Sequence, residues 1–191
     1  MSEKELHLKR NGKNGFSLVE TLVAIFILAM AITSAMAVAQ SSLLASFFAR
    51  DRVTAYFLAQ EAVEVVKNIR DENRLENRDN PNNLISWSSR ITDLSCKEND
   101  LPCGVDIINN SVIKCADFDD GCRLKREANG IFNHSSSGDD TRFTRTVEIE
   151  SVGGTDDEIK VTVTVSWPQA LNQNKNFVMT EHIFNWLSFG G

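Results

Sequence analysis

Between Phe16 and Asn80 the chain has no glycine and no proline, and all but two of its 10 glycines fall at Gly104 or later. A stretch without either breaker has nothing in it to force a turn, so the first part of the chain reads as uninterrupted helix and the remainder as loops and strands. Catalytic signatures are missing as well. No nucleophile elbow, phosphate loop or metal-binding histidine pair is present, and His7, His134 and His182 stand in no motif. We therefore assign no catalytic residue, no cofactor and no metal site. A surplus of positive charge is also lacking: 20 basic residues face 26 acidic ones. That balance disfavours a general binder of phosphate backbones, and no nucleic-acid partner is expected. The basic spot at Arg123, Lys125 and Arg126 reads as an exposed strand face.

What is present begins with an apolar run. Thr21 to Ala39 carries no charge, and 19 helical residues cover roughly 28 Å, close to the hydrocarbon thickness of a bilayer. Lys4, Lys9, Arg10 and Lys13 precede it against only Glu3 and Glu5. This bias favours a single pass with the N-terminus cytoplasmic and the rest outside. Glu20, at the start of the run, is the anomaly. A carboxylate in a membrane-length segment costs on the order of 3 kcal/mol unless a partner neutralises it, so it is a functional residue by default. A secretory signal peptide would offer Ala37-Val38-Ala39 as a cleavage site before Gln40. Its apolar region would be shorter, however, and would not tolerate a Glu near its start. An ordinary anchor leaves Glu20 unexplained.

Lys13-Asn14-Gly15-Phe16-Ser17-Leu18-Val19-Glu20 resembles the class III signal of type IV prepilins and type II secretion pseudopilins. The resemblance covers the leader and first helix, about a quarter of the chain. It implies a leader of residues 1–15, cut after Gly15 by a membrane prepilin peptidase, and N-methylation of the new first residue, Phe16. It also implies that Glu20 pairs, during subunit assembly, with the α-amino group of Phe16 on a neighbour. The partners it implies are the peptidase, other pilin subunits through helix packing, the inner-membrane pilus assembly machinery and membrane lipid. The processed chain would then carry 16 basic and 24 acidic residues, since residues 1–15 hold four and two, and its net charge would move from −6 to −8.

Beyond the membrane part, about 16–40, an amphipathic part runs over about 41–76. Ala55, Leu58, Ala62, Val65, Val66 and Ile69 recur at helical spacing among Arg52, Gln60, Glu61, Glu64, Lys67 and Arg70. We expect helix from about Leu18 to about Asn73, roughly 80 Å long. Residues 77–141 read as a polar, cysteine-containing loop region. One hairpin is expected there, Arg123–Ala128 and Ile131–His134 about Asn129-Gly130. Residues 142–191 read as an antiparallel meander. Phe143, Val147 and Ile149 share one face, Ile159, Val161, Val163, Val165 and Trp167 alternate with polar residues, and Phe177–Trp186 forms a third strand. Gly153-Gly154 turns between the first two, and Pro168 is expected to end the second. Such a sheet needs a cover on its apolar face, and the helical stripe is the only long candidate. The predicted fold is thus α+β: a long N-terminal transmembrane helix whose C-terminal half packs on an antiparallel β-sheet head, the layout the pilin resemblance also implies.

Cys96, Cys103, Cys115 and Cys122 are separated by six, eleven and six residues. This does not match the short knuckles of zinc sites, and a head facing an oxidising exterior favours disulfides. Of the three connectivities, Cys96–Cys103 with Cys115–Cys122 is preferred because each closes a short local loop. Asp117, Asp119 and Asp120 before Gly121 faintly suggest a calcium loop, but Ala128 stands where its last acid is required. The function expected is a structural subunit, a minor pilin or pseudopilin, of a type IV pilus-like filament. The alternative is a membrane-anchored extracellular binding module or adhesin that does not polymerise; a secreted hydrolase on a helical anchor lacks any triad or metal set.

Overall fold

The structure is a computed structural model that describes residues 15–96, 102–115, 121–134, 138–154, 157–169 and 173–185. The leader up to Asn14, the Asp117–Asp120 turn and Trp186 lie outside the described residues. The chain divides into two units, residues 1–48 and 49–191. Helix α1 (Leu18–Asp79) contributes to both.

In the first unit, every residue from Gly15 to Phe47 is exposed. In the second, α1 buries one stripe: Asp51, Ala55, Leu58, Ala62, Val66, Ile69 and Asn73, widened by Ala59, Val63 and Val65. Steps of three and four residues keep these side chains on one face. The helix outruns the expected end near Asn73 because the polar residues there form tertiary bonds instead of breaking it. The Asn73 amide donates to the carbonyls of Trp87 (3.0 Å) and Ser89 (2.6 Å), and Asn77 exchanges two hydrogen bonds with the backbone of Ile85. Termination waits for Pro81, which disfavours helical geometry at Asn80.

Among the described residues seven strands follow: β1 (Cys103–Asp106), β2 (Ser111–Lys114), β3 (Arg123–Arg126), β4 (Phe132–Asn133), β5 (Asp139–Ser151), β6 (Glu158–Gln169) and β7 (Gln173–Phe184). All pairings are antiparallel. One edge of β5 pairs with β6, which pairs with β7. Its other edge is shared by β1, at Cys103↔Val147, and β3, at Arg123↔Thr144 and Arg126↔Asp139. The expected hairpin is present as β3 and β4, with Gly130 at φ 88° in the turn. The segment read as loop therefore also holds β1 and β2, which four-residue lengths hid from any periodicity argument.

Ile159, Val161, Val163, Val165 and Trp167 on β6 are all buried, as are Phe143, Val147 and Ile149 on β5. Each fully buried aliphatic side chain contributes about 1.5–3 kcal/mol. The helical stripe covers this face: Arg145 of β5 reaches the Leu58 carbonyl, Lys67 pairs with Glu181 of β7 at 3.2 Å, and Tyr56 meets Phe177 edge-on. Pro168 does not end β6. The strand continues through it to Gln169, paired only with β7, because pairing with β5 has already stopped at Thr144↔Ser166. On that free side a missing N–H costs nothing.

Candidate functional site

Gly15, Phe16 and Glu20 lie together at the head of α1. A Cβ added at Gly15 would meet no atom within 4 Å, and Phe16 is 80% exposed. Regular hydrogen bonding starts immediately after them, from the Thr21 N–H to the Ser17 carbonyl at 3.2 Å, and the Thr21 hydroxyl donates to the Leu18 carbonyl. Glu20 sits in the first turn, where the unpaired N–H groups and the helix dipole favour an anion. Among the described residues it has no ion pair. The arrangement is an open glycyl backbone, then a bulky aromatic residue, then an acid about one turn further on. After it comes helix that is apolar all round, with a window of mean hydropathy 2.5 and none of that window buried. Such a surface suits lipid or other apolar helices, not water.

The cysteines are joined as Cys96–Cys103 and Cys115–Cys122, with Cα atoms 5.5 and 4.9 Å apart. Both pairs lie along the shared edge of β5: the N–H of Ile149 donates to the Cys96 carbonyl and that of Arg145 to the Cys122 carbonyl. They hold the irregular segment against the sheet where short strands alone would not. Each closes a loop with a sequence separation of 7, a constraint on the unfolded chain worth about 2–3 kcal/mol. Replacing Cys115 and Cys122 together by serine should therefore lower the stability of the second unit by about that amount in a urea titration. An unchanged midpoint would show that the bond carries no such constraint.

His134 and His182 stay apart. His182 contacts Glu158 on the outer face of the sheet, while His134 is buried against Gly104, where an added Cβ would stand 2.6 Å from its Nε2. Burial, followed by the charge of Arg145, pushes the His134 pKa down to about 4. Among the described residues no group of three His, Cys, Asp or Glu side chains is placed to hold a metal ion.

One residue escaped the sequence reading. Arg145 lies on the apolar face of β5 between Phe143 and Val147, and is fully buried. Strict alternation was the available signal, since position 145 must face inward if 143 and 147 do. Its guanidinium donates to the carbonyls of Leu58 (3.2 Å) and Val105 (3.1 Å) and to Glu61 (3.3 Å), tying α1, β1 and β5 together. Burial lowers its pKa to about 10, opposed by Glu61, whose own carboxyl is raised by burial against the pull of Arg145.

The family model for the prokaryotic N-terminal methylation motif matches residues 10–36. No curated protein and no solved structure gives a match to the chain. The chain thus carries a type IV pilin class III signal at the head of a long apolar helix, followed by an α+β head of pilin-like layout. That motif supports a type IV pilin- or pseudopilin-like protein and implies processing by a prepilin peptidase and assembly with other pilins. Single-pass membrane anchoring fits the same segment.

Proposed function

We propose that this protein is a structural subunit, a minor pilin or pseudopilin, of a type IV pilus-like filament. In this reading the peptidase cuts between Gly15 and Phe16 on the cytoplasmic side and methylates the Phe16 amine. The head lies outside, and the helix then passes from lipid into a filament core made of like helices. The observation that carries the reading is the methylation motif placed at the start of a 62-residue helix with no break in it. In that core the Glu20 carboxylate would meet the methylated amine of a neighbouring Phe16. A charge pair at low dielectric is strong enough to select one register, although both ions lose hydration in forming it.

Co-expression with a prepilin peptidase tests this directly. Intact mass should show loss of 15 residues and gain of one methyl group; a product beginning at Gln40, or none, would overturn the cleavage site. Glu20→Ala should leave the processed chain in the membrane and deplete it from sheared filaments. Wild-type levels of that variant in filaments would remove Glu20 from the assembly contact. A processed wild-type chain never found in filaments would favour the anchored binding module instead.

A further inference from the structure

The sheet of the second unit forks. Pairing between β5 and β6 stops at Thr144↔Ser166, yet β6 and β7 stay paired to Gln169↔Gln173, and β5 and β3 to Arg126↔Asp139. Two arms therefore diverge from one point, and a cleft of about 560 Å³ opens between them. Arg123 and Thr144 line it from one arm; Ser166, Trp167, Pro168 and Asn174 line it from the other. Its size falls within the range of small-molecule sites.

The charge of the cleft is specific. Arg142 is neutralised by Asp51 at 3.0 Å, and Asp140 by Lys125 at 3.8 Å. Arg123 is exposed and has no ion pair among the described residues. Among the described residues one guanidinium is left over, which matches one carboxylate better than a doubly charged phosphate. Around it stand hydroxyls from Thr144 and Ser166 and the Asn174 amide, groups that both donate and accept hydrogen bonds. Pro168 is exposed and adds apolar surface, while Trp167, its neighbour on β6, is only 2% exposed and faces the core.

We propose that this fork binds an acidic saccharide unit of the uronic-acid kind. Arg123 holds the carboxylate in a two-pronged hydrogen bond. Thr144, Ser166 and Asn174 meet the ring hydroxyls, and Pro168 takes the apolar face of the ring. Hydroxyls beside a single cation separate this ligand from an acidic peptide, which would reward a second cation. The site would make the head a reader of acidic polysaccharide, whether or not the chain enters a filament.

The test is calorimetric titration of the full chain in mild detergent with digalacturonate, a neutral digalactoside, acetate and triglutamate. Digalacturonate should bind, the neutral disaccharide and triglutamate should not, and acetate should compete only at large excess. Arg123→Gln should weaken digalacturonate binding roughly 10-fold, as expected for loss of a charge-assisted bidentate contact. Ser166→Ala should weaken it by a smaller factor, and Arg126→Gln, exposed on the same strand but outside the cleft, should leave it unchanged. Arg123 is exposed, so its substitution leaves the core intact, and unchanged thermal unfolding of the variant would verify that. The proposal is overturned by absent digalacturonate binding, by equal binding of the neutral disaccharide, by preference for triglutamate, by acetate competing mole for mole, or by indifference to Arg123→Gln.

Discussion

Arg145→Ala is expected to destabilise the second unit by about 3–5 kcal/mol, the range for breaking a buried pair from one side. The substitution empties a fully buried slot and leaves the Val105 carbonyl without the guanidinium donor it had at 3.1 Å. An unpaired buried carbonyl alone costs about 1–3 kcal/mol. Glu61 softens the loss, because its side chain is 39% exposed and its carboxylate, once abandoned, still reaches water. Arg145→Met should restore part of the stability by refilling the slot without a charge. With Glu61→Gln added, the double variant should approach wild type, as buried ion pairs replaced by packed apolar groups often do. Urea unfolding of the full chain in mild detergent, followed by tryptophan fluorescence, measures all three. A loss under about 1 kcal/mol for Arg145→Ala would mean that the guanidinium is dispensable to the helix–sheet contact.

Acidification from pH 6.5 to pH 4 should remove about 3 kcal/mol of stability through His134 alone, from 1.36 kcal/mol per pKa unit. The unfolded chain binds this proton near pH 6.5, whereas the folded chain, with the ring buried beside Arg145, binds it only near pH 4. Between those values the unfolded state carries the extra proton, so stability falls as pH falls. Above 6.5 neither state is charged at this ring, and well below 4 both are, so the loss levels off. Glu61, whose carboxyl is raised, contributes a slope of the opposite sign. Asp106 also titrates in acid: burial raises it, but hydrogen bonds from Asn109, Asn133 and two backbone N–H groups hold it below its usual value. Comparing His134→Gln with wild type at pH 7 and pH 4 isolates the imidazole from both. The difference in unfolding free energy between the two proteins should change by about 3 kcal/mol across that span. If it stays constant, the ring is reached by protons in the folded state and the burial argument fails.

The two residues behind these predictions mark the boundary of what was legible beforehand. Ile159 to Trp167 could be read because each residue reports its own direction through a period of two, and the stripe from Ala55 to Ile69 through its helical period. Arg145 broke its local pattern by being charged, so its inward position depended on partners 87 and 40 residues away, Leu58 and Val105. His134 gave no local sign at all; its burial follows from Gly104 on another strand having no side chain there. The four-residue strands β1 and β2 are strands only because they lie against each other and against β5.

Local chain chemistry by itself determined a great deal here. It specified the apolar run with Glu20 at its start, the motif at Gly15 and Phe16, the break-free helix, and the alternating faces of β5 and β6. Each is a property of neighbouring residues, settled by periodicity, propensity and charge without reference to the rest of the fold. Tertiary structure decided where the buried Arg145 finds its acceptors, and how β5 divides its second edge between β1 and β3. It also decided that β5 and β6 part after Thr144 and Ser166 and leave a cleft. These depend on register between strands distant in the chain, and register is set by packing and by loop closure, quantities that no short window of sequence contains.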